Sequence, residues 1–112
     1  MTNPQKAKGS SWERFVAKYF QARGYVSATR RYGAGTHADL GDLYFPGPVV
    51  IECKDHATLR LPAWMDETAV ERENAHAELG ILAIKRKGKP VEEGYAVTSI
   101  KEMVSLLQKA GY

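Results

Sequence analysis

Two acids and a lysine stand close together in the stretch from Gly41 to Lys54, which reads GDLYFPGPVVIECK. Asp42 precedes a short turn, and Glu52 and Lys54 interrupt the end of an apolar run that begins at Val49. Carboxylate oxygens suit Mg²⁺ or Mn²⁺, with water and a substrate phosphate completing the coordination shell. A nearby ammonium group can stabilise charge on that phosphate or help to deprotonate an attacking water. These residue types in this order favour metal-assisted hydrolysis of a phosphate ester.

The spacing of these residues predicts how they would meet in a β-hairpin. In a strand, Glu52 and Lys54 lie on one face, whereas Ile51 lies on the other face, which suits the core. The position of Asp42 depends on the turn. A three-residue loop over Pro46–Pro48 places Asp42 opposite Glu52, within about 5 Å across the strands, whereas a two-residue loop places it opposite Ile51. In the first register the two carboxylates repel each other unless a cation lies between them.

The periodicity of the whole chain predicts an α/β sandwich. Ser10 and Glu13 form a capping-box pattern, which places the start of the first helix at Ser10. The predicted elements are a helix over 10–24, strands over 25–32, 40–45 and 49–54, a helix over 63–79, strands over 81–84 and 95–98, and a helix from Ser99. The order is therefore α-β-β-β-α-β-β-α. Its sheet is expected to be mixed, because short turns join the first three strands and a helix separates the third from the fourth.

Length and composition bound the class of protein. The 112 residues allow one domain, which we place at 9–112 after a flexible tail over 1–8. The single cysteine, Cys53, permits no intramolecular disulfide, so a reducing cytoplasm is expected. The sequence shows neither an apolar run long enough to span a bilayer nor a signal segment at its start, so no membrane association is expected.

The charges are unevenly distributed along the chain. Residues 1–31 contain seven Lys or Arg and one acid, and four further bases stand between Lys85 and Lys89 without an acid. Residues 39–78 contain nine acids and three bases. Basic ends around an acidic middle indicate a polyanion-binding rim around a cation site. The alternative is a solvated surface whose charges happen to be uneven.

The hairpin residues carry a resemblance to a known superfamily. GD, followed after the hairpin by ECK, resembles the motif of the PD-(D/E)XK nucleases, with Gly41 where the name-giving proline usually stands. The opening KGSSWERF, from Lys8 to Phe15, is similar to the start of the archaeal-type Holliday junction resolvases. The chain also resembles small phage-encoded members of that group. The resemblance implies a restriction-endonuclease-like fold, in which a central mixed sheet is flanked by helices.

The resemblance also implies a set of catalytic residues. Glu13 would join Asp42, Glu52 and Lys54 in catalysis, and the three acids would hold Mg²⁺, with Mn²⁺ as a substitute. By sequence, Glu13 serves equally well to close the capping box. Asp39 is a rival to Asp42, although it would lie on the opposite face of the strand.

The activity implied is metal-dependent resolution of four-way (Holliday) DNA junctions in a prokaryotic or phage-infected cell. A homodimer is expected, because two nicks across a symmetric junction require two active sites. The alternatives are another nuclease of the superfamily, acting on flaps, ends or duplex DNA, and a catalytically silent DNA-binding protein of the same fold. The DNA contacts that we expect are Lys8, Ser10, Arg14, Arg30, Arg31, His37, Lys85, Arg86 and Lys87.

Overall fold

A five-stranded β-sheet with helices on both faces forms the centre of the computed structural model, which describes residues 4–25, 28–30, 41–44 and 47–112. The helices are α1 (Pro4–Ala22), α2 (Leu61–Asn74) and α3 (Ile100–Lys109), with a 3₁₀ turn at Val91–Glu93. The strands are β1 (Thr29–Arg30), β2 (Leu43–Tyr44), β3 (Val49–Lys54), β4 (Leu79–Ile84) and β5 (Tyr95–Val97). The predicted order α-β-β-β-α-β-β-α is confirmed.

The strands lie across the sheet in chain order, from β1 to β5. β1 pairs with β2 and β2 with β3 in antiparallel fashion, whereas β3 and β4 are parallel, and β5 returns antiparallel to β4. Helix α2 makes the crossover between the parallel strands, as a parallel connection requires. The predicted mixed sheet is therefore confirmed, and the arrangement is that of a restriction-endonuclease-like fold.

The two faces of β3 are covered by different helices. On one face, Trp12 and Val16 of α1 pack in a buried cluster with Ile51 and Cys53. The indole Nε1 of Trp12 also donates a hydrogen bond to the carbonyl of Ala83, at 2.9 Å, which fixes α1 against β4. The predicted core face of β3 is confirmed. The opposite face, which carries Glu52, lies under α2.

Two predicted helix boundaries are wrong. Helix α1 begins at Pro4, so residues 4–8 of the predicted tail are helical and Ser10 lies inside the helix rather than at its N-cap. Proline suits a first helical position because its missing N–H would have no intrahelical partner there. Helix α2 ends at Asn74 rather than at Leu79. The chain leaves the helix because His76 adopts a left-handed conformation, with φ of 53°.

The second capping box is confirmed and connects α3 to the sheet. The Ser99 hydroxyl accepts a hydrogen bond from the backbone N–H of Glu102 and donates one to the Glu102 carboxylate. The other oxygen of that carboxylate accepts from the backbone N–H of Gly80, at 2.7 Å. A single side chain therefore closes the first turn of α3 and binds it to β4.

Helix α3 differs from the other two helices in its surface. Ile100, Met103, Val104 and Leu107 all remain exposed on it. Even with this apolar face, the helices within the described ranges are too short or too polar to cross a bilayer.

Substitutions at two glycines, one crowded and one not, test how closely α2 packs on β4. A Cβ added at Gly80 would approach the Thr68 methyl group to 2.9 Å and the Thr68 carbonyl to 3.3 Å, whereas a Cβ at Gly9 meets nothing within 4 Å. We expect Gly80→Ala to lower the free energy of unfolding by about 1–3 kcal/mol, because β4 and α2 must separate. Gly9→Ala should raise it by about 0.5–1 kcal/mol through helix propensity. Thermal or urea unfolding of both variants measures this, and equal stability of the two would contradict the close contact.

Candidate active site

The β2–β3 pairing brings Asp42 beside Glu52. Leu43 pairs with Ile51, the register that follows from a three-residue loop, and it sets Asp42 opposite Glu52. The backbone N–H of Asp42 donates to the carbonyl of Ile51 at 3.1 Å. Its carboxylate oxygen Oδ2 accepts from the backbone N–H of Cys53 at 2.8 Å. The structure thus selects the first of the two predicted registers and fixes the Asp42 side chain against β3.

Gly41 explains the departure from the proline of the superfamily motif. Its φ is +92°, a conformation that proline cannot adopt and that other L residues adopt only with strain. A Cβ here would also lie 2.8 Å from Cγ1 of Val50. The chain therefore needs glycine at this position in order to bring Asp42 alongside β3.

Two further carboxylates reach the site from α2. Glu67 and Glu71 stand one helical turn apart, and each offers an oxygen to a group in which the ligand atoms of Glu52, Glu67 and Glu71 all lie within 4.8 Å of one another. Glu52 and Glu71 are almost completely buried, with 2% and 1% of their surfaces exposed. Three acidic oxygens at this separation form a donor set that suits a hard divalent cation.

Glu52 is a buried carboxyl group whose closest polar neighbours include other acids. Burial raises its pKa far above the ordinary value, and hydrogen bonds with Asp42, Glu71 and Glu67 raise it further. Its Oε1 atom is buried and has no hydrogen-bond partner among the residues that the structure describes. A buried acceptor without a donor is costly, and a cation at this position would satisfy it. The residues present therefore fit a divalent metal ion.

Lys54 is held at the edge of the acidic group. Its Nζ atom lies 3.1 and 3.2 Å from the two carboxylate oxygens of Glu67 and 5.8 Å from the centre of the Trp64 ring. Burial opposes the charge on Lys54, but the carboxylates of Glu52, Glu67 and Asp42 outweigh it and raise the pKa of the ammonium group. A hydrogen bond with Glu52 lowers the pKa of Glu67, and the neighbouring Lys54 lowers it further, although burial opposes both effects. The raised pKa of Lys54 and the lowered pKa of Glu67 both favour the charged pair.

The structure brings Asp42, Glu52 and Lys54 together as the hairpin predicted. Glu13 lies on α1, the helix whose Trp12 and Val16 cover the opposite face of β3. Burial raises the pKa of the Cys53 thiol, and the charges of Asp42 and Glu13 raise it further. Among the described residues, the group able to share one cation is thus completed by α2 rather than by Glu13.

The residues predicted to contact DNA fall into three groups. Lys8 lines the same cleft as the bases that follow β4, namely Lys85, Arg86 and Lys87. Ser10 and Arg14 lie on α1 outside the residues that line this cleft, and Arg14 donates to the hydroxyl of Ser11 at 3.2 Å. Arg30 belongs to β1, but its side chain is outside the description. Arg31 and His37, like the rival acid Asp39, lie outside the described residues.

Sequence reasoning missed Glu67 and Glu71. It predicted a helix over 63–79 and gave neither acid a role, yet Glu71 is buried together with Trp64 and Thr68 on the inner side of α2. The signal was present in the spacing, because Trp64, Thr68 and Glu71 share one helical face. An acid at a core-facing position, on the helix that follows ECK, indicates a partner in the sheet below it.

The raised pKa of Glu52 predicts that the metal-free protein loses stability as the pH rises. Above the ordinary value of 4.5, the unfolded chain releases a proton that the folded chain retains. The free energy of unfolding then falls by up to about 1.4 kcal/mol per pH unit. Glu67, whose pKa is lowered, acts in the opposite sense, but its contribution is already complete above its unfolded value. Thermal melting in EDTA, from about pH 5 to about pH 8, measures the slope.

The matched variants isolate the proton on Glu52. Glu52→Gln should flatten the pH dependence, because glutamine has no proton to release. Glu73→Gln, at an exposed position of α2, should keep the wild-type slope. An unchanged slope in Glu52→Gln would contradict a protonated Glu52 in the folded protein.

Comparison with known proteins agrees with the fold. The family described as "Phage putative PDDEXK endonuclease" matches residues 4–109, which include the whole hairpin, α2 and the sheet. No curated protein and no solved structure gives a significant match. PD-(D/E)XK nucleases are generally dependent on divalent metals, in keeping with the carboxylate group described above. The chain therefore belongs to the phage PDDEXK endonuclease family.

Proposed function

We propose that this protein is a divalent-metal-dependent endonuclease that hydrolyses DNA phosphodiester bonds, with four-way junctions as its preferred substrate. The observation that carries the proposal is the buried Glu52, whose Oε1 lacks a hydrogen-bond partner within the described residues and whose neighbours are further carboxylates. A site of this kind gains most from a cation. Its position at the end of β3, beside a basic cleft, matches a reaction on a polyanion.

The acidic group supplies the cation ligands in this proposal. Glu52, Glu67 and Glu71 would hold Mg²⁺, with Mn²⁺ as a substitute, and Asp42, beside Glu52, would be a further ligand. When bound, the metal would supply an activated water and positive charge for the scissile phosphate. Asp42 also positions Glu52, because its hydrogen bond to the N–H of Cys53 fixes the spacing between β2 and β3.

Lys54 has a separate role, which follows from its charge and position. Its raised pKa keeps the amine protonated at neutral pH. The ammonium group stands at the margin of the acidic group, where Glu67 holds it by two contacts. From there it stabilises negative charge that develops on a phosphate oxygen.

The preference for junctions rests on the start of α1. The stretch from Lys8 to Phe15 resembles that of the archaeal-type junction resolvases, and a two-fold homodimer would supply a second active site for the second nick. Glu13 belongs to this stretch. We retain it as a candidate member of the site.

Substitution of the acidic group should remove cleavage and leave binding. We expect Glu52→Gln, Glu71→Gln, Asp42→Asn and Lys54→Ala each to slow cleavage roughly 100-fold or more. DNA affinity in EDTA should change little, because these residues act on the scissile phosphate rather than on the bulk of the backbone. The measurement is Mg²⁺-dependent cleavage of a labelled four-way junction, a flap and a matched linear duplex.

Controls within the same elements sharpen this test. Glu73→Gln should cleave like wild type, since its side chain is exposed on α2. Glu13→Gln should be inactive only if that acid belongs to the site. Cleavage at the wild-type rate by Glu52→Gln or Lys54→Ala would end the site assignment. Wild-type protein that binds DNA but never cuts it would favour the catalytically silent alternative, and faster cleavage of the flap or duplex would end the junction preference.

Divalent metal should stabilise the folded protein. A cation that binds only the folded form adds about 2.7 kcal/mol at a hundredfold excess over its dissociation constant. For a domain of this size, that is a rise in melting temperature on the order of ten degrees. Glu71→Gln should lose most of this response, because a ligand is missing. Melting of wild type and of this variant, in EDTA and across a Mg²⁺ titration, provides the measurement. Equal melting of the wild type at every Mg²⁺ concentration would contradict a cation site.

A further inference from the structure

A cleft opens where β3 ends and the acidic group of the site stops. Asp55, His56 and Ala57, which directly follow Lys54, form part of its lining. The segment after β4 and the first residue of β5 complete it, together with Lys8 and Leu59. Its volume is about 650 Å³. The cleft is thus continuous along the chain with the residues that we place in catalysis.

The cleft is strongly basic. Its lining includes five cationic side chains and one acid, Asp55, and the cations are Lys8, Lys85, Arg86, Lys87 and Lys89. Asp55 is buried and lies 3.6 Å from the Nζ atom of Lys8 and 3.9 Å from that of Lys85. One carboxylate therefore orients two lysines from different elements without neutralising the cleft. Such a surface selects a polyanion.

Aromatic and apolar side chains share the cleft with these cations. Tyr95 lines it with 47% of its surface exposed, and the guanidinium carbon of Arg86 lies 5.3 Å from the centre of its ring. Leu59 is 53% exposed. The ring of His56 is supported by the buried Trp64, with the two ring centres 5.3 Å apart. In a groove that bound only the phosphates of a double helix, exposed aromatic rings would contribute nothing to binding.

We propose that this cleft binds unpaired nucleotides of a DNA strand, with a base stacked on Tyr95 and the backbone held by the cationic side chains. In duplex DNA the faces of the bases are covered by their neighbours, so an aromatic ring gains a stacking partner only from an unpaired base. The volume lies in the range of cavities that enclose a small ligand, roughly 300–1,000 Å³, and holds about one or two nucleotides rather than a double helix.

The inference rests on the proposed function and narrows its substrate class. Because the cleft begins directly after Lys54, the unpaired nucleotides would adjoin the phosphodiester bond that is cut. The substrate would then be DNA that is single-stranded or frayed next to the cleavage position. An opened junction arm, a flap and a single-stranded end all have this property, whereas a closed linear duplex does not.

The test is equilibrium binding in EDTA, which separates it from cleavage. Fluorescence anisotropy would be recorded with a short labelled single strand, the same strand in a blunt duplex, and that duplex with an unpaired tail. Tyr95→Ala should weaken binding of the single strand and of the tailed duplex roughly 5- to 150-fold, the loss expected for one stacked base. Binding of the blunt duplex should change less than about twofold, because backbone contacts remain.

Two variants serve as controls. Tyr95→Phe keeps the ring and should bind like wild type, which separates stacking from a folding defect. Tyr112→Ala removes a tyrosine that is 91% exposed outside the cleft, and it should change nothing. In contrast, Lys87→Ala should weaken all three DNAs together and reduce the salt dependence of binding.

Each outcome is decisive for this inference. An equal loss on all three DNAs with Tyr95→Ala, or wild-type preference for the blunt duplex, would overturn it. Cleavage without a Tyr95-dependent preference would overturn it while leaving the proposed nuclease intact. If the protein binds unpaired DNA selectively but never cleaves DNA, the result would support nucleotide binding in the cleft and contradict the proposed nuclease activity.

Discussion

The burial of Glu52 among other carboxylates is the constraint on which the site depends. A buried ionised carboxylate is costly unless nearby donors or positive charge compensate it. Among the described residues, Lys54 contributes positive charge at the edge of the group, and burial raises the pKa of Glu52. Because apolar residues commonly replace buried ionic groups without loss of stability, stability alone does not explain so many acids at this place. We interpret the group as a cation site.

The connectivity of the sheet places the apolar cluster on one face of β3 and the acidic group on the other. Side chains alternate along β3, so Ile51 and Cys53 face α1 and join its apolar cluster, whereas Glu52 and Lys54 face α2. The parallel pairing of β3 with β4 requires a crossover, and α2 is that crossover. Helix α2, which connects these two strands, therefore also places Glu67 and Glu71 over Glu52. Close packing at Gly80 keeps the helix near enough for these carboxylates to meet.

Opposite charges are arranged around the end of β3. The acidic group lies under α2, and the basic cleft begins with the next residues of the chain. A polyanion attracted by the cleft is thereby brought to an acidic centre that would repel it in the absence of a cation. Asp55, which lines the cleft, lies close to the Nζ atoms of Lys8 and Lys85 and orients both lysines. In the proposed function, a cation held by the acidic group would remove this repulsion.

The sequence by itself determined the order of the elements, the two faces of β3 and the common face of Glu52 and Lys54, because strand alternation and short turns are local properties. It also marked the cap of α3 through Ser99 and Glu102. It did not place the start of α1, since the helix extends through Gly9 to Pro4. Only the tertiary structure chose the hairpin register and brought Glu67 and Glu71 beside Glu52. Those outcomes depend on how helices pack across a sheet, and contacts between residues distant in the chain leave little trace in local spacing.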